Sequence, residues 1–131
     1  METRRHKHLV LILAREFASN LATPTLIADA DGMLVYYNEA AEAVVGRTFA
    51  ESGEMPIEDW AQTLAPRTQE SEPLPAERRP VWKALNEQRA THERFWITSA
   101  EGIDREIEVT AFPLFAHADE FVGVVAIFWP D

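Results

Sequence analysis

The chain has 131 residues, of which 47% are hydrophobic and 26% are charged, a balance that predicts one globular domain. Its formal net charge of −10 argues against a general nucleic-acid binder, because such a protein needs a basic face to displace counterions. The sequence contains no cysteine, which excludes disulfides, thiolate metal sites and cysteine nucleophiles and fits a reducing compartment.

The first predicted element is an amphipathic helix from about residue 4 to residue 20. Its apolar residues recur at spacings of three and four and form one stripe: Leu9, Ile12, Leu13, Phe17 and Leu21, widened by Val10 and Leu11. The helix ends at Thr23, because a residue before proline is pushed away from α geometry. The apolar run of six residues is too short for a signal peptide or a membrane span. We therefore expect a cytoplasmic protein that has neither a membrane nor nucleic acid as a partner.

Two strands and a short helix are predicted next. The strands, at about 25–30 and 33–38, flank Asp31 and Gly32, a hairpin signal because glycine adopts positive φ without steric cost. Asn38 is the predicted N-cap of a helix that runs to Val45 and ends at Gly46. Residues from about 48 to 75 contain four prolines and are predicted to be irregular with short helical turns, as in a lid or a variable wall.

A longer helix and three strands complete the pattern. The helix is predicted at about 75–87, with its regular part beginning at Pro80. The strands are predicted at about 91–99, 105–115 and 121–129. The last strand is apolar on both faces: Val122, Val124, Ala126 and Phe128 on one, and Val125, Ile127 and Trp129 on the other. Such a strand needs cover on both sides, so we expect the N-terminal helix, from the same chain or a partner subunit, to cover its outer face.

The order of these elements and several motifs resemble a PAS domain. The matching motifs are Asp31-Gly32, Asn38 with Ala40-Ala41, Gly46, the run from Glu72 to Leu85, Pro113-Leu114 and Gly123. The resemblance extends from about residue 21 to the C-terminus. It implies an α+β fold with a five-stranded antiparallel sheet, helices on one face and an N-terminal amphipathic helix. Residues 1–22 would form a dimerisation or cap helix, and residues 23–131 the PAS domain.

The resemblance also implies a function. It indicates a sensory and signalling domain that homodimerises, is not an enzyme, and acts through a downstream signalling protein or an effector domain. The alternative is a dedicated small-molecule sensor for a lipid, haem or flavin. The flavin photoadduct of related photosensors requires a cysteine, and haem requires an axial ligand, most often a histidine, which the long helix lacks. We therefore expect no cofactor and no metal site, and the identity of any small apolar ligand stays open.

Two sets of residues are the candidate sites. The predicted lining of an interior chamber is Tyr36, Asn38, Trp60, Trp82, Leu85, Phe95, Ile97, Val109 and Phe128. These side chains either enclose an apolar ligand or fill the core themselves. The predicted dimer interface is Leu9, Ile12, Leu13, Phe17, Val125, Ile127 and Trp129. In this interpretation, a signal shifts the N-terminal helix between two packing arrangements.

Overall fold

One antiparallel sheet of six strands forms the centre of the structure. The structure is a computed structural model. It describes the backbone of residues 2–117 and 119–130 and the side chains of residues 9–117 and 119–130. The strands are β1 (Thr25–Asp29), β2 (Met33–Tyr37), β3 (Met55–Pro56), β4 (Thr91–Thr98), β5 (Asp104–Phe115) and β6 (Phe121–Pro130). Their order across the sheet is β3-β2-β1-β6-β5-β4, so the last strand in sequence lies in the middle.

The helices lie on both faces of this sheet. They are α1 (Glu2–Ser19), α2 (Glu39–Val45), α3 (Phe49–Ser52), α4 (Ile57–Gln62) and α5 (Pro80–Glu87), and a 3₁₀ turn at Ala76–Arg78 precedes α5. The buried residues of α2, α4 and α5 contribute to the core on the inner face, whereas α1 packs against the outer face. The predicted α+β fold is confirmed. The sheet has six strands instead of five, because β3 is a two-residue edge strand that ends in proline and shows no alternation.

The central position of β6 explains why both of its faces are apolar. On the inner side Val124, Ala126 and Phe128 belong to the main core, and on the outer side Val125 and Ile127 pack in a smaller cluster with residues of α1. Neighbouring residues of a strand point to opposite faces, so β6 contributes to both clusters.

Helix α1 covers the outer face with a different side from the one its large residues predict. Leu11, Ala14 and Ala18 face the sheet, at spacings of three and four residues. Small side chains at two of these positions let the helix lie close to the strands. The side chains of Leu9, Ile12, Leu13 and Phe17, here called the exposed row, are 52%, 61%, 58% and 68% exposed. Of the predicted stripe, Leu11 therefore packs against the sheet, whereas the four residues of the exposed row leave most of their surface open within this chain.

Asn38 joins α1 to the rest of the fold. Its Oδ1 accepts hydrogen bonds from the backbone N–H of Ala41 (3.0 Å) and of Thr25 (3.0 Å), which confirms the predicted N-cap of α2. Its Nδ2 donates to the carbonyl oxygens of Ala18 (3.0 Å) and Thr23 (2.9 Å). The side chain is buried, so these bonds are shielded from water. One amide thus connects the end of α1, the start of β1 and the start of α2.

Candidate functional site

A small cavity, here called the chamber, lies between the inner face of the sheet and helices α4 and α5. Its volume is about 70 Å³. The lining consists of Leu26, Val45, Ile57, Glu58, Trp60, Ala61, Leu64, Pro66, Arg79, Pro80, Val81, Phe95, Ile97, Ile107, Val109 and Phe128. Pockets for drug-sized ligands measure about 300–1,000 Å³, and an apolar cavity of about 150 Å³ holds benzene. The side chains therefore fill most of the interior and leave space for a small molecule only.

Five of the nine predicted chamber residues line this cavity: Trp60, Phe95, Ile97, Val109 and Phe128. The other four lie elsewhere. Asn38 is at the N-cap of α2, and Trp82 is half-buried on α5, outside the cavity wall. Leu85 packs against the inner core but does not reach the cavity. Tyr36 packs against the outer cluster, where the guanidinium carbon of Arg15 lies 4.8 Å from its ring centroid.

A β-bulge accounts for the position of Tyr36. The pairing of β1 with β2 shifts between Ile27 and Ala28, so that Ile27 faces Tyr36 and Ala28 faces Leu34. The extra residue turns both Val35 and Tyr36 to the outer face and leaves Tyr37 pointing inward. Tyr37 is buried, and its hydroxyl donates to the carbonyl oxygen of Arg47 at 2.9 Å. Burial raises the pKa of the Tyr37 phenol.

The polar part of the chamber wall is an ion pair that the sequence did not reveal. Arg79 Nη1 lies 3.5 Å from Glu58 Oε1, and Arg79 Nη2 donates to Gln62 Oε1 at 3.1 Å. Arg79 Nε and Nη2 also donate to the carbonyl oxygen of Leu74 at 3.3 and 3.2 Å. Burial raises the pKa of the Glu58 carboxyl, and the nearby Arg79 opposes this effect. Local sequence signals place Arg79 directly before α5, but they do not indicate Glu58, 21 positions earlier, as its partner.

A second concave surface, here called the outer groove, lies between α1 and the outer face of β5 and β6. Its volume is about 300 Å³, and it is lined by Val10, Leu13, Ala14, Phe17, Ala18, Leu21, Thr25, Phe112, Leu114, Val125 and Ile127. Of the predicted interface residues, Leu13, Phe17, Val125 and Ile127 line it. Leu9 and Ile12 belong to the exposed row, and Trp129 near the end of β6 is 44% exposed.

Among the described residues, no three histidine, aspartate or glutamate side chains are close enough to hold a metal ion together. His92 lies on β4, where its Nδ1 is 2.8 Å from Thr110 Oγ1 and its Nε2 is 3.3 Å from Glu108 Oε1. Of the helices in the described part of the chain, none has the length and apolar character needed to span a bilayer.

Solved structures with the same architecture include PAS and LOV domains. The PAS domain of a protein from Colwellia psychrerythraea is 15% identical, with a TM-score of 0.65 over 93% of this chain and 97% of that one. The PAS domain of nitrogen regulation protein NR(II) from Vibrio parahaemolyticus is 17% identical, with a TM-score of 0.62 over 91% and 98%. The LOV domain of a blue-light activated histidine kinase from Erythrobacter litoralis is 19% identical, with a TM-score of 0.66 over 85% and 97%. At these identities the likeness establishes a shared fold.

Sequence comparison gives the family. The comparison with curated proteins gave no match. The family model described as PAS fold matches residues 18–130, which include every strand of the sheet and the end of α1. The resemblance inferred from the motifs is confirmed, and the chain belongs to the PAS family.

Proposed function

We propose that this chain is a sensory and signalling PAS domain that homodimerises through the exposed row of α1 and the outer groove. The observation that carries the proposal is the exposure of the four large apolar side chains of the exposed row, each more than half exposed. They lie beside a groove with an almost wholly apolar lining. Contiguous apolar surface of this kind marks interaction sites in soluble proteins, because its burial is favourable by roughly 25 cal/mol per Å².

A second copy of the chain is the proposed occupant of this surface. In a two-fold symmetric dimer the same patch serves both subunits, so a ridge must lie beside a matching groove. Leu9 and Ile12 form the ridge, and Leu13 and Phe17 border the groove. Val125, Ile127 and Trp129 would extend the contact along β6. In this arrangement residues 1–22 are the dimerisation helix and residues 23–131 the PAS domain.

The test is the double substitution Leu13→Glu and Phe17→Glu. We expect the wild-type protein to be a dimer by light scattering and the double variant to be a monomer, because each carboxylate would be buried in an apolar contact. Ile103→Glu is the matched control, since Ile103 is 46% exposed and lies in the turn between β4 and β5. This control should stay dimeric. A monomeric wild-type protein, or a double variant that dimerises as tightly as the wild type, would overturn the proposal.

A second candidate function is the binding of a small apolar molecule in the chamber. The observation that favours it is the cavity of about 70 Å³, whose wall is apolar except for Glu58 and Arg79. Mass spectrometry of extracts from protein purified under native conditions tests it. A stoichiometric small molecule supports the candidate, whereas extracts without one, together with no uptake of added small apolar compounds, oppose it.

The remaining parts of the proposal concern partners and location. We propose that the domain acts through another signalling protein or an effector domain, and does not itself catalyse a reaction. The similarity of the chain to PAS and LOV domains of histidine kinases supports such a role. We also propose a cytoplasmic location, which fits a sequence without cysteine.

A further inference from the structure

We infer that the ligand of the chamber is a small apolar monocarboxylic acid, with its carboxylate on Arg79 and its hydrocarbon tail in the cavity. This inference rests on the proposal that the chamber binds a small apolar molecule, and it adds the chemical class of that molecule. The acid would take the place of Glu58 as the partner of the Arg79 guanidinium.

The chemistry of the wall supports an acid. Fourteen of the sixteen lining residues are apolar, and the two that are not, Glu58 and Arg79, form one ion pair. Arg79 Nη1, which bonds to neither Leu74 nor Gln62, can donate its N–H groups to a ligand carboxylate, and such charge-assisted hydrogen bonds are stronger than neutral ones. A ligand that has one carboxylate and otherwise only hydrocarbon therefore complements the whole wall.

Arg79 is held in position independently of Glu58. Two of its nitrogens donate to the carbonyl oxygen of Leu74, and one also donates to Gln62 Oε1. Its side chain is only 14% exposed. The guanidinium would therefore keep its place if Glu58 moved away, so that binding requires little reordering of the cation.

Glu58 is the exchangeable partner of this pair. Its contact with Arg79 Nη1 is long, at 3.5 Å, and its side chain is 35% exposed. Burial raises the pKa of the Glu58 carboxyl even though Arg79 is close by, so the charged form of Glu58 is poorly stabilised where it lies. A ligand carboxylate that fits the guanidinium better would displace Glu58 toward solvent.

The size of the chamber sets the length of the tail. A cavity of about 70 Å³ is about half as large as one that holds benzene. It accommodates about three tail carbons, the number that butanoate carries beyond its carboxylate. Each methylene that enters the cavity should raise the affinity about fourfold until the space is full.

The experiment is a chemical-shift titration of the isotopically labelled full chain with acetate, butanoate, hexanoate and decanoate, and with hexan-1-ol as the uncharged match of hexanoate. We expect affinity to rise from acetate to butanoate and to gain little from butanoate to hexanoate and decanoate, because the longer tails extend beyond the cavity. Hexanoate should bind about tenfold more tightly than hexan-1-ol, because it adds charge-assisted hydrogen bonds. The shifts should centre on Phe95, Ile97 and Val109.

Two variants test the role of the ion pair. Arg79→Gln should lower the affinity for hexanoate to that of hexan-1-ol. Because Arg79 also bonds to Leu74, this variant is complemented by Glu58→Gln, which leaves Arg79 in place and removes the competing carboxylate. Glu58→Gln should tighten hexanoate binding about two- to fivefold and leave hexan-1-ol binding unchanged.

The outcomes distinguish a failure of the inferred ligand class from a failure of the proposal that the chamber binds a small apolar molecule. If hexanoate and hexan-1-ol bind equally and neither responds to Glu58→Gln, the chamber binds apolar molecules but the inferred acid is wrong. If neither compound shifts the chamber residues at millimolar concentration, both the chamber proposal and the inference are wrong. Homodimerisation is unaffected by either result, since it depends on the opposite face of the sheet.

Discussion

Gly123 lies where β6 passes close to the backbone of β1, opposite Asp29. A Cβ built on this residue would be 2.3 Å from the carbonyl oxygen of Ala28 and 3.1 Å from the Cα of Asp29. Both contacts are with backbone atoms of a paired strand, so no side-chain rotation can relieve them. The glycine is therefore a requirement of the pairing between the first and the last strand.

The corresponding prediction is that Gly123→Ala destabilises the fold by about 2–3 kcal/mol, because the central strands must separate. Urea unfolding followed by circular dichroism measures the loss. Gly102→Ala is the matched control: its φ of 81° costs alanine about 1 kcal/mol, but a Cβ there would meet open space. A variant at Gly123 that is no less stable than the one at Gly102 would contradict the argument.

At the same scale, single residues show where sequence reasoning reached its limit. The N-cap at Asn38 and the C-terminal glycine of α2 were predictable, because both depend on local hydrogen bonds and backbone preference. The inward position of Tyr37 was not predictable. A bulge in β2 shifts the alternation of inward and outward side chains, so that Tyr36 points outward and Tyr37 inward. The pairing of Arg79 with Glu58, 21 positions apart, depends on how two helices meet in space.

On the scale of elements, the burial of Glu58 where α4 meets the start of α5 makes stability depend on pH. The pKa of Glu58 in the folded protein is raised by burial, so the folded state holds its proton to higher pH than the unfolded state does. The contribution of this group is fully present below the ordinary pKa of 4.5 and is lost as the pH rises through the higher, folded value.

We therefore expect the stability of the wild type relative to Glu58→Gln to fall as the pH rises from 4 to 7, a range chosen for the experiment. The change should be modest, because the side chain is 35% exposed and solvent screens it. Glu51→Gln is a control of opposite sign: hydrogen bonds from Thr48 lower the pKa of Glu51, so the wild type should gain relative stability as the pH rises. Urea midpoints at several pH values check both directions, and equal slopes for the two variants would contradict the assignment.

The elements themselves were largely predictable. Five strands and the helices α1, α2 and α5 follow from periodicity, caps and prolines, since these signals are local. The side of α1 that meets the sheet was not predictable in the same way. Hydrophobicity points to Leu13 and Phe17, yet Ala14 and Ala18 face the strands, because close approach of a helix to a sheet favours small side chains. Strand β3 was not predictable, because two residues are too few to show the alternation that identifies a strand.

For the whole molecule, net charge and exposed apolar surface have opposite effects on the association of two chains. Each chain carries a formal net charge of −10, so two copies repel, whereas the proposed contact surface on α1 and β6 is apolar. Salt screens the repulsion and leaves the apolar contact intact.

The proposed dimer should therefore become severalfold tighter as sodium chloride is raised from about 20 mM to about 500 mM, since the Debye length falls from about 20 Å to about 4 Å. Sedimentation equilibrium at several salt concentrations measures the dissociation constant. The Leu13→Glu and Phe17→Glu double variant serves as the control and should stay monomeric throughout. A dimer that salt weakens would mean that ion pairs hold it together instead.

The amide of Asn38 restricts the movement of α1. Because its Nδ2 donates to the carbonyl oxygen of Ala18 in the last turn of the helix, sliding of α1 along its own axis would break this buried hydrogen bond. A tilt of the helix about Ala18 would preserve the bond. Leu9 lies about 13 Å from that pivot, so a tilt of about 10° carries it about 2 Å. A small tilt at the C-terminal end of α1 therefore produces a larger displacement at its N-terminal end.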